Sequence, residues 1–275
     1  MSTATATRTA PGGTAPRSTL PRVMRSEWTK LMSLRSTFWT LLALMAITVG
    51  LGALIDFLYN HNYDSVSARN RAVFDPTSFS LQWLALGQLA IAVLGVLIIS
   101  SEYSTGGIRT TFTAVPNRMR LLSAKTLVFA LVALVVGLIT SFAAFGLGQL
   151  IFAARGLGAS LSEPSVLRAV LGGGLYVGVS GLFGLACGLL LRHSAAAITA
   201  AVALLLVVPP ITLAIPGSIG QAVQRYFTSN AGSEILAVHQ TRTNYLTPWV
   251  GFLVFCAWVA VPLLVGAYLM KRRDA

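Results

Sequence analysis

Few residues in this chain have the type and spacing for chemistry, and each can be judged by what its reaction would need. Gly178-Val179-Ser180-Gly181 has the Gly-x-Ser-Gly form of a serine nucleophile. Acyl transfer also needs a base within hydrogen-bond reach of that hydroxyl. The three histidines, His61, His193 and His239, are far apart, and the last apolar run, the place from which a base would come, holds none. Ser180 is therefore read as a helix-packing residue. The histidines match no metal-ligand spacing. Cys187 and Cys256 lie inside apolar runs and read as small core residues. A phosphate-cradling loop of the Walker type requires Gly-Lys. The only lysines follow Thr29, Ala124 and Met270, so this sequence carries no such loop. Catalytic, cofactor and metal residues are expected to be absent.

The elements that would position any site are long and apolar. The chain has 275 residues, of which 55% are hydrophobic and 10% charged, and its mean hydropathy is +0.74. That is too apolar for ordinary soluble domains. Six runs, at about 38–58, 79–100, 124–152, 168–191, 195–215 and 249–270, each approach the roughly 20 residues that a helix needs to cross about 30 Å of hydrocarbon. Continuous runs of this kind exclude the alternating pattern of a membrane β-barrel. The expected fold is all-α: a polytopic membrane protein with six transmembrane helices over 37–273 and an N-terminal interfacial helix.

Fourteen of the 20 Lys and Arg residues fall on one side of these spans. They are Arg8, Arg17, Arg22, Arg25, Lys30 and Arg35 before the first, Arg109, Arg118, Arg120 and Lys125 after the second, Arg192 after the fourth, and Lys271, Arg272 and Arg273 at the end. The positive-inside rule then places both termini in the cytoplasm of a multi-pass protein of the cell inner (cytoplasmic) membrane. Membrane lipids and topology account for the net charge of +12, so no nucleic-acid partner is expected.

Residues 1–19 are rich in Ser, Thr, Ala, Pro and Gly and read as a disordered cytoplasmic tail. From 20 to 36 the chain is amphipathic. Met24, Trp28, Leu31, Leu34 and Phe38 recur at helical spacing, with Arg22, Arg25, Ser26, Thr29 and Ser33 opposite, as in a helix lying on the inner membrane surface. Glu27 falls near the apolar face, where it would need Lys30 one turn on, or a basic residue of another segment. The loop at 59–78 offers no motif. Only Arg192, His193 and Ser194 join the fourth and fifth runs, which requires a tight hairpin. Gly174, Gly178, Ser180, Gly184 and Gly188 favour close helix packing along the fourth run. Pro209 and Pro210 should kink or end the fifth. The segment from Pro216 to Pro248 is expected to hold short interfacial or re-entrant helices.

The segment between the second and third spans is the most structured-looking polar stretch. Gly106 and Gly107 release the chain from the span. Ile108 and Phe112 form an i, i+4 apolar pair suited to a partner's groove, Pro116 closes the turn, and Lys125 can snorkel at the start of the third span.

Two stretches carry a family likeness. They are Ser26-Glu27-Trp28-Thr29-Lys30-Leu31 followed by Leu34-Arg35-Ser36-Thr37, and Glu102-Tyr103 through Gly106, Ile108-Arg109, Pro116, Arg118 and Lys125. With the span count they resemble the permeases, or membrane subunits, of type-two ABC exporters over about residues 22–273. The resemblance implies an elbow helix with Glu27, Trp28, Lys30, Leu31 and Arg35. It also implies a coupling helix that docks on an ABC ATP-binding subunit through Glu102, Gly106, Ile108, Arg109, Phe112, Pro116 and Arg118. ATP and magnesium would then be bound by that partner, and a second permease subunit, identical or not, would complete the path. The alternatives are an ion-gradient-driven secondary transporter or a non-transporting membrane scaffold. Such carriers usually keep carboxylates or histidines in mid-membrane, whereas Asp56, Glu102, Lys125, Arg168 and Arg192 fall at span edges. Gln82, Gln88, Gln149, Thr140 and Thr199 would line a polar path or bond between helices.

If the N-terminal helix rests on the membrane, a cysteine at position 24 is expected to be shielded from aqueous maleimide in native membranes; full labelling would remove the surface-helix assignment.

Overall fold

The computed structural model describes residues 19–33, 35–104, 106–107, 117–239 and 245–272. The tail at 1–18, Leu34, and the segments 108–116, 240–244 and 273–275 lie outside the described residues, as does Thr105. Six helices are long and apolar enough to cross a membrane. The chain begins with α1 (Leu20–Ser33), followed by α2 (Arg35–His61) as the first span. A short α3 (Ala68–Ala72) precedes the second span, which is broken into α4 (Pro76–Leu81) and α5 (Leu84–Ser104). The third and fourth spans are α6 (Arg118–Ala153) and α7 (Val166–Leu191). The fifth opens as α8 (Ser194–Val202) and passes through a π turn at Ala203–Val207 into α9 (Val208–Ile211). After the outer helices α10 (Gly217–Tyr226) and α11 (Thr228–Ser233) comes the last span, α12 (Pro248–Arg272).

The fourth span is the centre of the bundle. The most apolar stretch of α7 is 72% buried, against 22% for α2 and 28% for α12. Lipid tails are as apolar as leucine, so helices in a bilayer associate by close contact rather than by escape from water. The glycines of α7 supply that contact on two faces. A Cβ on Gly184 would stand 1.9 Å from the Ala92 carbonyl oxygen of α5, and one on Gly188 would stand 2.8 Å from that of Val96. On the other face, a Cβ on Gly174 would meet Leu138 of α6 at 2.5 Å. Ser141 reinforces this side by donating to the Val170 carbonyl at 2.7 Å. Ser180 donates to the Tyr176 carbonyl at 2.8 Å and reaches Gln88 Oε1 at 3.4 Å, so its hydroxyl is spent on packing.

The fifth span shows why an irregular helix survives here. In the five-residue register of the π turn, Val208 N–H donates to the Ala203 carbonyl, so the donors that Pro209 and Pro210 lack would have served Leu204 and Leu205. A buried carbonyl without a partner is costly in hydrocarbon. The hydroxyls of Thr228 and Ser229, at the start of α11, donate to those two carbonyls at 2.7 and 2.8 Å. Arg168 holds the other end of the outer segment by donating to the carbonyls of Ile235 and Ala237. The expected short helices at 216–248 thus include one that folds back against the bundle.

The tight hairpin between α7 and α8 is present: Arg192 ends α7 in the left-handed region at φ 53° and α8 begins at Ser194. The loop at 59–78, which offers no sequence motif, is held by rings. Tyr59 packs on Phe74 and Phe79 with centroids 4.9 and 4.5 Å apart, and Phe74 meets Phe152 of α6.

Gly184→Ala should lower stability by about 1–3 kcal/mol through overpacking against Ala92. Gly50→Ala, whose Cβ would meet nothing within 4 Å, should be neutral or stabilising by about 0.5–1 kcal/mol. Thermal unfolding of the two variants in detergent checks the contrast.

Candidate functional site

Charges collect at one end of the bundle, where α1 meets the ends of the second and third spans. Glu102 lies in the last turn of α5, next to carbonyls whose partial negative charge disfavours a carboxylate. Lys125 lies two turns inside α6 and is 5% exposed, and Glu27 lies in the middle of α1 and is 7% exposed. Neither could remain ionised there alone, because burying an unpaired charge is far more costly than burying a pair. The fold brings them together. Lys125 Nζ donates to Glu27 Oε2 at 2.6 Å and to Glu102 Oε1 at 2.9 Å. Lys30 Nζ, one helical turn from Glu27 with half its side chain exposed, also donates to Glu102 Oε1.

Two ammoniums and two carboxylates therefore form a neutral cluster that joins three helices. Its apolar support comes from Val23 packed on Leu121 and Ala124, with Met24 beside them, and from Leu31 in the main core. Glu102 and Lys125 bracket the segment between the second and third spans. Gly106 leaves α5 with φ +70°, a conformation that favours glycine. On the far side Asn117 caps α6, its side chain accepting from Arg120 N–H at 3.0 Å. The same end is tied to the other spans. Arg118 Nη1 donates to the Met270 carbonyl near the end of α12 at 3.0 Å, and the Arg192 guanidinium lies 4.9 Å from the Tyr103 ring centroid.

Several expectations change in detail. The face of α1 that packs on the protein is Val23, Glu27 and Leu31, which lies beside the stripe of Met24, Trp28, Leu31, Leu34 and Phe38 expected to meet the membrane surface and shares only Leu31 with it. Of that stripe only Leu31 is buried; Trp28 and Phe38 are exposed, Met24 is half-buried, and Leu34 lies outside the described residues. The apolar surface of α1 and α2 is divided between protein and surroundings, and periodicity alone cannot tell the two apart. Lys125 does not snorkel: its ammonium is enclosed by two carboxylates. Asp56 lies in the second-last turn of α2, which ends at His61, and is 1% exposed. Arg35 is exposed at the start of α2. Ile108, Arg109, Phe112 and Pro116 lie outside the described residues.

The polar residues of the spans divide by role. Gln82 and Gln88 line a cavity of about 440 Å³ at the opposite end, shared with Tyr176, Ser229 and Asn230. Thr140 bonds within its own helix, to the Val136 carbonyl, and Gln149 Oε1 accepts from Ala159 N–H beyond the end of α6. Thr199 is exposed on α8. The one signal that pointed to the ion cluster was Glu27 itself, a carboxylate on an apolar face; its partner 98 residues away had no sequence signature.

Among the described residues, six helices long and apolar enough to cross a membrane, one of them the glycine-rich centre of the bundle, with an ion cluster at the ends of the second and third, define a polytopic helical membrane protein. Residues 23–209, well over half of the chain, match the family described as ABC-2 family transporter protein, and the chain belongs to that family. No curated protein matches the chain. Membership makes it a membrane component of an ABC transporter, a permease, a class that associates in general with an ABC ATP-binding subunit.

Lys125→Met removes the shared cation and leaves Glu27 buried without its partner, which should cost about 3–5 kcal/mol. Adding Glu27→Gln should recover part of that loss, a coupling that a double-mutant cycle in detergent unfolding would read as strong non-additivity.

Proposed function

We propose that this chain is the permease of an ABC exporter, moved by a separate ATP-binding subunit that holds ATP and magnesium and grips the segment between the second and third spans. In this reading both termini are cytoplasmic, α1 rests on the inner leaflet, and Ile108, Arg109 and Phe112 are the contact residues. Gly106 and Pro116 bound the docking element. The observation that carries the proposal is the ion cluster. Glu102 and Lys125 anchor the two helices that lead into and out of the segment, and both are bonded to α1 or to each other. A displacement of the segment would therefore move α1, α5 and α6 as one lever rather than being absorbed in a slack loop. Nucleotide binding by the partner would favour one arrangement of that lever over another, which is what alternating access needs.

A second permease subunit, as homodimer or heterodimer, is part of the proposal. The bundle is filled at its centre by α7, which leaves no room for a path down its own axis. The cavity with Gln82 and Gln88, largely apolar but for those amides and a few hydroxyls, supports a route along the second and fifth spans instead.

Phe112→Asp places a charge in the proposed apolar contact. It should insert into the membrane normally while weakening capture of the ATP-binding subunit by about tenfold or more. Co-purification at the parental level would reject the docking assignment.

A further inference from the structure

The charged end of the bundle also holds a cavity of about 250 Å³ between α1, α2, α5 and α6. One wall is apolar, formed by Val93, Leu94, Leu97 and Ile98 of α5. The other is polar. Ser36, Thr37 and Thr40 bring three hydroxyls from the start of α2, and all four members of the ion cluster, Glu27, Lys30, Glu102 and Lys125, reach the wall. The cavity has an open flank, where Ser36, Thr40 and Leu97 are exposed.

Of these four, Glu102 and Lys30 are not fully used by the ion cluster. Glu102 is 7% exposed, and although its Oε1 accepts from both lysines, its Oε2 has no hydrogen-bond partner. A buried carboxylate oxygen without a donor is costly, and the cavity that Glu102 lines is the space from which a donor can come. Lys30 has three N–H donors and half of its side chain exposed. The site thus offers an acceptor and a cation a short distance apart, on a cluster whose own charges cancel.

We propose that this cavity binds the head group of an aminophospholipid. The head-group ammonium donates to Glu102 Oε2, the phosphate lies against Lys30 and the hydroxyls of Ser36, Thr37 and Thr40, and the acyl chains leave over Leu97 into the bilayer. A zwitterion enters a neutral cluster without adding net charge, which an anionic head group cannot do. A choline head carries the same charges but no N–H to give to Glu102. The position is also right, because the cavity lies at the ends of the spans, where lipid head groups sit. Its volume suits a head group and not two chains, which would have to lie along the outer surface. A lipid held this way would fasten α1 to α2 and α5 beside the ion cluster. The assignment does not depend on an ATP-binding subunit, so it stands or falls apart from the docking proposal.

The test uses the purified full chain in detergent with dioleoyl phosphatidylethanolamine, phosphatidylcholine and phosphatidylglycerol in turn. Native mass spectrometry reads lipid retention, and thermal unfolding reads stabilisation. One phosphatidylethanolamine per chain should be retained about tenfold better than either of the others, as expected for a hydrogen bond to a charged group. Leu97→Trp, which fills the cavity from α5 and leaves every charged residue in place, should fold and lose the preference, and Glu102→Gln should reduce it. Equal retention of the three lipids would overturn the proposal, as would a preference that survives Leu97→Trp. Selective retention of phosphatidylglycerol would also overturn it, since that result describes an ordinary basic surface.

Discussion

An ammonium buried at the end of a membrane bundle has to be neutralised where it stands, and much of the architecture around Lys125 follows from that requirement. Water is scarce, the surrounding side chains are apolar, and a lone charge would be unstable. Two carboxylates answer it, one from α1 and one from the last turn of α5. Because those carboxylates come from different helices, neutralisation also fixes geometry: α1 cannot drift from the bundle, and the ends of α5 and α6 cannot separate, without exposing a charge. Ion pairs of this kind contribute little net stability compared with apolar packing, but they select one arrangement strongly.

The rest of the bundle is held by contact. Along α7 the glycines bring α5 and α6 so near that a single added methyl would overlap a carbonyl of α5 or Leu138 of α6. Where backbone geometry breaks, as at the π turn before Pro209, side-chain hydroxyls from the outer helix satisfy the freed carbonyls. The two ends thus differ in character. One is joined by charge across long sequence distances, and the other by hydroxyls, rings and a folded-back helix, with a largely apolar cavity beside them. In the proposed function the first end receives force and the second releases cargo.

How much was legible in advance varies with the range of the physics involved. The six spans could be read because each is a local matter of length and apolarity, and the hairpin at Arg192–Ser194 because only two residues separate α7 from α8. The glycine spacing of the fourth span signalled close packing, though not which helices would pack. The stripe with Trp28 and Phe38 on α1 was legible as apolar surface, and both residues are exposed, but that Val23, Glu27 and Leu31 would pack on the protein was not legible.

By itself, the sequence determined that this is an α-helical membrane protein, how many times it crosses, and where its cations gather, because hydropathy and charge act over one or two turns of chain. Only the tertiary structure decided that Glu27 answers Lys125 rather than Lys30, that Glu102 keeps one oxygen free beside a cavity, and that Thr228 and Ser229 stand in for the missing donors of two prolines. Those are meetings between residues 20 to 100 positions apart, and no local pattern specifies which distant partner completes a buried charge or an unpaired carbonyl.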